Sequence, residues 1–118
     1  MIYTTQDRCA SGEPTIHDCL QLFAEPEELD EENAWYCDKC HSMALALKEL
    51  HVKIFPSLLI LHLNRFKTVD NKKVKNCEPI LYSATEEFGG KEYRLLAAII
   101  HEGSMEGGHY WCYARRNE

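Results

Sequence analysis

The sequence of 118 residues contains no apolar run that approaches the roughly 20 residues of a membrane-spanning helix. Residues 1–5 have neither the basic start nor the apolar stretch of a secretory signal peptide. Internal repeats and low-complexity linkers are also missing, so the length fits one domain or a piece of one. We therefore expect an intracellular protein, in the cytoplasm, the nucleus or both, without a membrane partner.

Positive charge is in short supply as well, with 13 lysines and arginines against 19 aspartates and glutamates. The formal net charge of -6 argues against nucleic acid as a partner, because nucleic acid selects basic surfaces. The residues that are present, 45% apolar and 27% charged, are enough to form a core and a soluble surface.

The first element that the pattern predicts is a short helix. Thr15 is a suitable N-cap, and Asp18 completes a variant of the capping box. Apolar side chains follow at helical spacing, at Ile16, Cys19, Leu20 and Phe23. Pro26 interrupts this helix, and in the acidic run behind it we expect a second short helical turn closed by Leu29.

Beyond residue 49 the apolar period changes to two, which is typical of strands. The strands predicted before the final hairpin are 50–54, 58–66 and 80–82. Residues 67–76 carry four lysines and are predicted as an exposed loop, and Gly89-Gly90 is predicted as a turn. The predicted fold class is α+β, with one or two short N-terminal helices followed by a mostly antiparallel β-sheet.

The last part of the sequence predicts a hairpin with a histidine at each shoulder. An apolar strand at 95–100 and an aromatic strand at 110–114 are joined by a glycine-rich loop. His101 lies at one shoulder and His109 at the other. Because histidine titrates near neutral pH, His109 is a candidate general base, although a surface hairpin histidine has the same local pattern.

Cys37-x-x-Cys40 provides half of a tetrahedral zinc site, because a structural site needs four ligands. There is no second Cys-x-x-Cys, and the single residues left as ligands are Cys9, Cys19, Cys77, Cys112 and His41. The motif also resembles a thioredoxin-like redox site, which needs a long helix behind it, and plain structural thiols are the third interpretation. Without a secretion signal, we expect the six cysteines to be reduced or metal-bound rather than paired in disulfides.

Four stretches, taken in order, resemble sequence blocks of the ubiquitin-specific proteases. They are the lead-in to the fingers region at 15–29, a zinc-knuckle pair at Trp35-Tyr36-Cys37-x-x-Cys40, a strand at 55–66 that ends in His62-Leu63-Asn64-Arg65-Phe66, and a histidine box at 93–110. Together these blocks span nearly the whole chain, which resembles the C-terminal half of a ubiquitin-specific protease catalytic domain.

The resemblance implies part of a papain-like cysteine protease that hydrolyses the isopeptide or peptide bond after the C-terminal glycine of ubiquitin. Residues 1–118 would be a single partial domain, with about 1–55 related to the fingers and about 56–118 to the palm and its histidine box. The implied partners are ubiquitin and ubiquitinated proteins. The resemblance implies no cofactor for catalysis, and it allows a structural zinc in the full domain, held in part by Cys37 and Cys40.

By the same resemblance, His109 matches the catalytic histidine, which accepts a proton from the cysteine nucleophile. The residues implied to border the channel for the ubiquitin tail are His101, Gly103, Gly107, Gly108 and Tyr110. Residues 102–107 and 67–76 would form two loops beside that channel.

The chain departs from the family at the nucleophile. The family's Asn-x-Gly-Asn-Thr-Cys type of box has no counterpart here, and no later strand after His109 carries an Asp or Asn. Asn117 lies roughly 26 Å from His109 if the strand is regular at about 3.3 Å per residue. We therefore expect the chain alone to be inactive. The alternatives are a non-catalytic ubiquitin-binding or scaffold module and a zinc-ribbon interaction domain.

Overall fold

The structure, a computed structural model, describes residues 12–116. Cys9, one of the candidate zinc ligands, and Asn117 lie outside the described residues. No helix in this part of the chain has both the length and the apolar character needed to cross a membrane.

The first element is helix α1, Ile16–Ala24, which begins at the predicted capping box. The Thr15 hydroxyl donates to Asp18 Oδ2 at 2.7 Å, and the Thr15 N–H donates to the same oxygen at 2.7 Å. These two bonds stabilise the carboxylate and hold the pKa of Asp18 below its ordinary value. The helix ends ahead of Pro26, whose ring disfavours the helical region for Glu25, and Glu25 adopts a ψ of 139°. The predicted helix is confirmed.

Within residues 12–116, a 3-10 turn and ten short strands follow α1. Their bounds are β1 Glu27–Glu28, the 3-10 turn Glu31–Asn33, β2 Trp35–Cys37, β3 Ser42–Ala44, β4 Leu47–Lys48, β5 Phe66–Val69, β6 Lys72–Lys75, β7 Thr85–Phe88, β8 Lys91–Arg94, β9 Ala97–Gly103 and β10 Gly108–Ala114. The antiparallel pairs are β1–β4, β2–β3, β5–β6, β7–β8 and β9–β10. The predicted α+β class is confirmed, although these strands form separate two-stranded ladders rather than one sheet.

The core lies where α1 packs against β7 and the segment before it. The buried apolar side chains there are Ile16, Cys19, Ile80 and Phe88, and the partly buried ones packed on them are Leu20, Phe23, Phe55, Leu59, Leu61, Leu63 and Tyr93. A parallel bridge between Thr15 and Leu81 holds the start of α1 to this segment. The strand predicted at 80–82 is reduced to that single bridge, so its prediction is wrong in extent.

The stretches 50–54 and 58–65 lie outside the strands, so the two strands predicted there are wrong. Alternating apolar residues form a strand only where another strand offers ladder partners. Between these two stretches, side chains of β8 rather than a neighbouring strand bind two backbone carbonyls. Lys91 Nζ donates to the Phe55 carbonyl at 2.8 Å, and the Tyr93 hydroxyl donates to the carbonyl of the next residue.

The predicted loop at 67–76 is a hairpin made of β5 and β6, so this prediction is also wrong. Asp70 and Asn71 form its turn with positive φ angles of 49° and 59°. Two consecutive residues at positive φ make the type of turn that matches the twist of paired strands, and Asp and Asn tolerate that conformation. The pairing of β5 with β6 is not visible in the sequence pattern, because lysines stand where apolar side chains usually indicate a strand.

The predicted second helical turn is present but displaced. It is the 3-10 turn, which begins after Leu29 and is capped by the Asp30 side chain, at 3.0 Å from the Asn33 N–H. Leu29 itself donates its N–H to the Ala46 carbonyl at 2.8 Å, beside the β1–β4 ladder.

Candidate functional site

The candidate site is built on the β9–β10 hairpin, which confirms the hairpin predicted from the sequence. The register places three pairs opposite one another near the turn, and they are Gly103 with Gly108, Glu102 with His109, and His101 with Tyr110. Because successive side chains of a strand point to opposite faces, His101 and Tyr110 share one face and His109 lies on the other. The two histidines therefore have different surroundings.

The turn at residues 104–107 brings the two strands very close together. Gly103 has a φ of +119°, and a Cβ there would lie 2.6 Å from the Gly107 carbonyl oxygen and 2.7 Å from Gly108 Cα. A Cβ on Gly108 would collide with the His101 ring, whereas one on Gly107 would meet nothing within 4 Å. Glycine is thus required by close approach at Gly103 and Gly108.

His101 is half-buried and packed against aromatic rings. Its ring centroid lies 4.5 Å from that of Tyr110 and 5.7 Å from that of Phe66, which meets it edge-on. Its Nδ1 is buried and has no hydrogen-bond partner among residues 12–116. Lys75 Nζ donates to the His101 carbonyl at 2.9 Å and to the Gly103 carbonyl at 3.1 Å. The sequence pattern does not place Phe66 and Lys75 at the site, because it predicts a loop for the segment between them.

His109 is exposed on the opposite face of the hairpin. Its ring centroid lies 5.7 Å from that of Trp111, with the two planes inclined by 32°. Across residues 12–116 its imidazole makes no hydrogen bond, so no described residue engages either ring nitrogen. The hairpin brings together every residue predicted for catalysis and tail binding, namely His101, Gly103, Gly107, Gly108, His109 and Tyr110.

Cys37 and Cys40 lie apart from this hairpin, at the turn of the β2–β3 ladder. The His41 N–H donates to the Cys37 carbonyl at 2.8 Å and closes the turn. The backbone N–H of Cys40, followed by that of Lys39, hydrogen-bonds the Cys37 sulfur and holds the pKa of that thiol below its ordinary value. A stabilised thiolate is the form of cysteine that binds zinc.

The described residues do not assemble the rest of a zinc site. No group of three or more His, Cys, Asp or Glu that could hold a metal occurs within residues 12–116. Cys19 is buried in the core, and the other candidates Cys77, Cys112 and His41 form no such group with the pair. The pair therefore fits two corners of a tetrahedral site. Strand β3 rather than a long helix follows it, which argues against the thioredoxin-like interpretation.

Comparison with known families and proteins bears on the whole chain. A family model described as ubiquitin carboxyl-terminal hydrolase matches residues 7–118. Ubiquitin carboxyl-terminal hydrolase 21 of Rattus norvegicus is 36% identical over 115 residues, which cover 90% of this chain and 20% of that protein. Ubiquitin carboxyl-terminal hydrolase 15 of Homo sapiens is 29% identical over 113 residues, which cover 87% of this chain and 12% of that protein. The chain thus spans about a fifth or less of these relatives.

Solved structures share the fold. A yeast SAGA DUBm with an Sgf73 mutant matches with a TM-score of 0.69 and 27% identity, covering 86% of this chain and 25% of the matched chain. The SAGA Ubp8/Sgf11/Sus1/Sgf73 DUB module bound to ubiquitin aldehyde matches with a TM-score of 0.68 and 24% identity, covering 98% of this chain and 28% of the matched chain. These matches confirm the predicted fold class, part of a papain-like DUB fold.

Proposed function

This chain belongs to the ubiquitin carboxyl-terminal hydrolase family, and on that premise we propose that it forms part of a cysteine-type deubiquitinase. The enzyme hydrolyses the isopeptide or peptide bond after the C-terminal glycine of ubiquitin, so its partners are ubiquitin and ubiquitinated proteins. The names of the family and of the relatives support this substrate class. Since the chain spans 20% of the first of those relatives, the proposal assigns the remaining catalytic parts to sequence outside it.

One observation supports His109 as the catalytic base. Its imidazole is exposed beside the glycine-lined turn and makes no hydrogen bond within residues 12–116. In the proposed reaction His109 takes the proton of a cysteine thiol, and the thiolate attacks the carbonyl carbon of the last glycine of ubiquitin, whose bond to the leaving amine then breaks. The imidazolium then gives that proton to the leaving amine, and a water molecule hydrolyses the acyl-enzyme with His109 as base again.

The nucleophile of this proposal comes from outside the 118 residues. Cys112 is the cysteine nearest to His109 in sequence, but it lies three positions along β10 and therefore on the opposite face of the hairpin. Cys19 is buried in the core, and Cys37 and Cys40 belong to the β2–β3 ladder. Cys77 follows β6, so within residues 12–116 the hairpin itself offers no thiol on the His109 face.

The glycines of the hairpin suit a channel for an extended peptide tail. Gly107 presents open backbone, since a Cβ there would meet nothing within 4 Å, and this would let the Gly-Gly end of ubiquitin approach closely. Gly103 and Gly108 would shape the channel indirectly, because they allow the two strands of the hairpin to close tightly beside it. Tyr110 leaves 63% of its surface exposed and would border this channel from the face of the hairpin opposite to His109. The His101 ring is packed between Tyr110 and Phe66, so His101 would support the channel wall behind Tyr110.

We further propose that residues up to about 55 contribute to the fingers and about 56–118 to the palm of the full domain. Cys37 and Cys40 would hold a structural zinc there, together with two ligands from outside the described residues. The metal would link the β2–β3 ladder to another segment, and no cofactor takes part in catalysis. The intracellular location stays a prediction.

The second candidate function is a ubiquitin-binding module that does not cut. It is favoured because Cys112, the cysteine of the described β9–β10 hairpin, lies on the face opposite to His109. The third alternative, an unrelated zinc-ribbon domain, is disfavoured by the family match over residues 7–118.

Turnover and binding together distinguish the two candidates. The full-length protein is incubated with ubiquitin that carries a fluorogenic amide at its C-terminus, and its affinity for ubiquitin is measured in parallel. An enzyme releases the fluorophore, a scaffold binds ubiquitin without release, and a protein that does neither contradicts both candidates. The 118-residue chain alone is expected to release none, because a general base without a nucleophile offers no covalent route.

A further inference from the structure

Lys75 differs from the other lysines on the β5–β6 hairpin. Lys67, Lys72 and Lys73 are exposed, whereas Lys75 is half-buried. Its ammonium donates to the carbonyl of His101 at 2.9 Å and to that of Gly103 at 3.1 Å. Withdrawing an ammonium from water is unfavourable unless hydrogen bonds replace its hydration, so the two carbonyls determine where this side chain lies.

The two carbonyls that Lys75 binds lie on the outer edge of β9. Carbonyls of successive residues in a strand point in alternate directions, so those of His101 and Gly103 share one side and that of Glu102 points to the other. The crowding between the Glu102 carbonyl and a Cβ built at Gly108 places that carbonyl on the side of β10. Lys75 therefore restrains the His101–Glu102 peptide plane and the Gly103–Ser104 peptide plane, which lie on either side of the carbonyl of Glu102 along β9.

Glu102 is the residue directly opposite His109 in the β9–β10 ladder. Because its two bonds hold the backbone before and after Glu102, Lys75 also restrains the part of β9 that pairs with His109. From this geometry we infer that Lys75 is a positioning residue for His109, which rests on the catalytic function proposed above. Lys75 acts through the backbone of β9 and does not touch the imidazole.

A second contact from the same place on β5–β6 supports the inference. Phe66 is the ladder partner of Lys75, and its ring packs edge-on against the His101 ring at a centroid distance of 5.7 Å. Phe66 and Lys75, at the open end of the β5–β6 hairpin, thus contact β9 at the His101 side chain and at its backbone. The turn at 104–107 has two internal hydrogen bonds, from the Ser104 N–H to the Gly107 carbonyl at 3.0 Å and from the Glu106 N–H to the Ser104 hydroxyl at 3.2 Å.

Lys75→Met in the full-length protein tests the inference, because it keeps the aliphatic stem and removes the ammonium. Lys75→Arg retains a donor cation, and Lys53→Met is the control, since Lys53 is exposed, lies outside the two proposed channel loops and has no hydrogen bond within residues 12–116. Two properties are measured for each variant. They are amide hydrogen exchange across residues 103–110, and kcat and KM on the fluorogenic ubiquitin substrate.

We expect Lys75→Met to speed exchange in 103–110 and to lower kcat about tenfold at nearly unchanged KM, because small misplacement of a catalytic group slows the chemical step. Lys75→Arg should restore most of both properties, and Lys53→Met should match the unaltered protein. The inference is overturned if Lys75→Met leaves exchange unchanged, if exchange rises while kcat holds, or if only KM changes. Full turnover by His109→Asn would instead reject the proposed function, while the exchange data would still report whether Lys75 restrains the turn.

Discussion

Thr15 shows how one side chain sets the start of an element. Its hydroxyl accepts from the Asp18 N–H at 3.2 Å and donates to the Asp18 carboxylate at 2.7 Å. Thr15→Ala removes both bonds and should lower the free energy of unfolding by about 1 kcal/mol, the usual cost of losing such a cap. Thr15→Ser keeps the hydroxyl and should remain close to the unaltered protein. Chemical denaturation of both variants measures the effect, and equal losses would contradict the role of the hydroxyl.

Residues whose role depends on near neighbours in sequence could be predicted, and residues whose role depends on distant ones could not. Thr15 and Asp18 are three positions apart, so the capping box is visible in the sequence. His101 is different, because its burial depends on Phe66 and its backbone bond on Lys75. No local pattern links those residues to the histidine.

At the scale of elements, helix α1 and strand β7 are joined by a polar contact. His17 Nε2 lies 2.7 Å from Glu86 Oε2, and the His17 ring stacks on Phe88 at 4.8 Å. The Ser83 N–H, and after it the His17 side chain, stabilise the Glu86 carboxylate and hold its pKa below the ordinary value. This contact makes the junction sensitive to acid.

A lowered carboxyl pKa contributes stability above the unfolded pKa, and that contribution is lost as the pH falls through the folded pKa. Glutamate in unfolded chains titrates near about 4.3, so the loss begins around that pH and continues below it. Glu86→Gln should therefore weaken the acid dependence of the unfolding free energy. The same substitution at Glu87, exposed on the same strand, is the control. An unaltered acid dependence in Glu86→Gln would contradict the contribution of this contact.

A predicted element is confirmed where the sequence features that specify it lie within the element itself. Helix α1 carries its own cap and apolar face, and the β9–β10 hairpin carries its own glycine-rich turn. The strands predicted within 50–65 are wrong because a strand needs a pairing partner, and alternating apolar residues do not identify one. The β5–β6 hairpin was missed although Asp70-Asn71 is a recognisable turn signal, because the lysines on its strands favoured a loop.

For the whole molecule, exposed apolar residues agree with the proposal of a partial domain. Ile60, Ile99 and Ile54 expose 82%, 75% and 73% of their surfaces. Side chains of this type in a complete domain are usually covered, and the other parts of the proposed catalytic domain would cover them here.

The zinc proposal also belongs to this scale, because Cys37 and Cys40 supply only half of a site. The full-length protein should bind one zinc per molecule, and Cys37→Ser should abolish stoichiometric binding, because the loss of a thiolate ligand opens the tetrahedral site. Cys77→Ser, at an exposed cysteine outside the β2–β3 ladder, is the control. Metal analysis of the purified variants measures the ratio. Zinc retained by Cys37→Ser would reject the site.

The most direct test of the account is His109→Asn in the full-length protein, with His51→Asn as the control at another exposed histidine. If His109 is the general base, turnover of the fluorogenic ubiquitin substrate falls by a factor on the order of 10² or more. Ubiquitin affinity stays nearly unchanged, and the unfolding free energy changes by no more than about 0.5 kcal/mol, as for an ordinary surface substitution. His51→Asn should retain full turnover. Normal turnover by His109→Asn would contradict the assignment of His109 as the catalytic base.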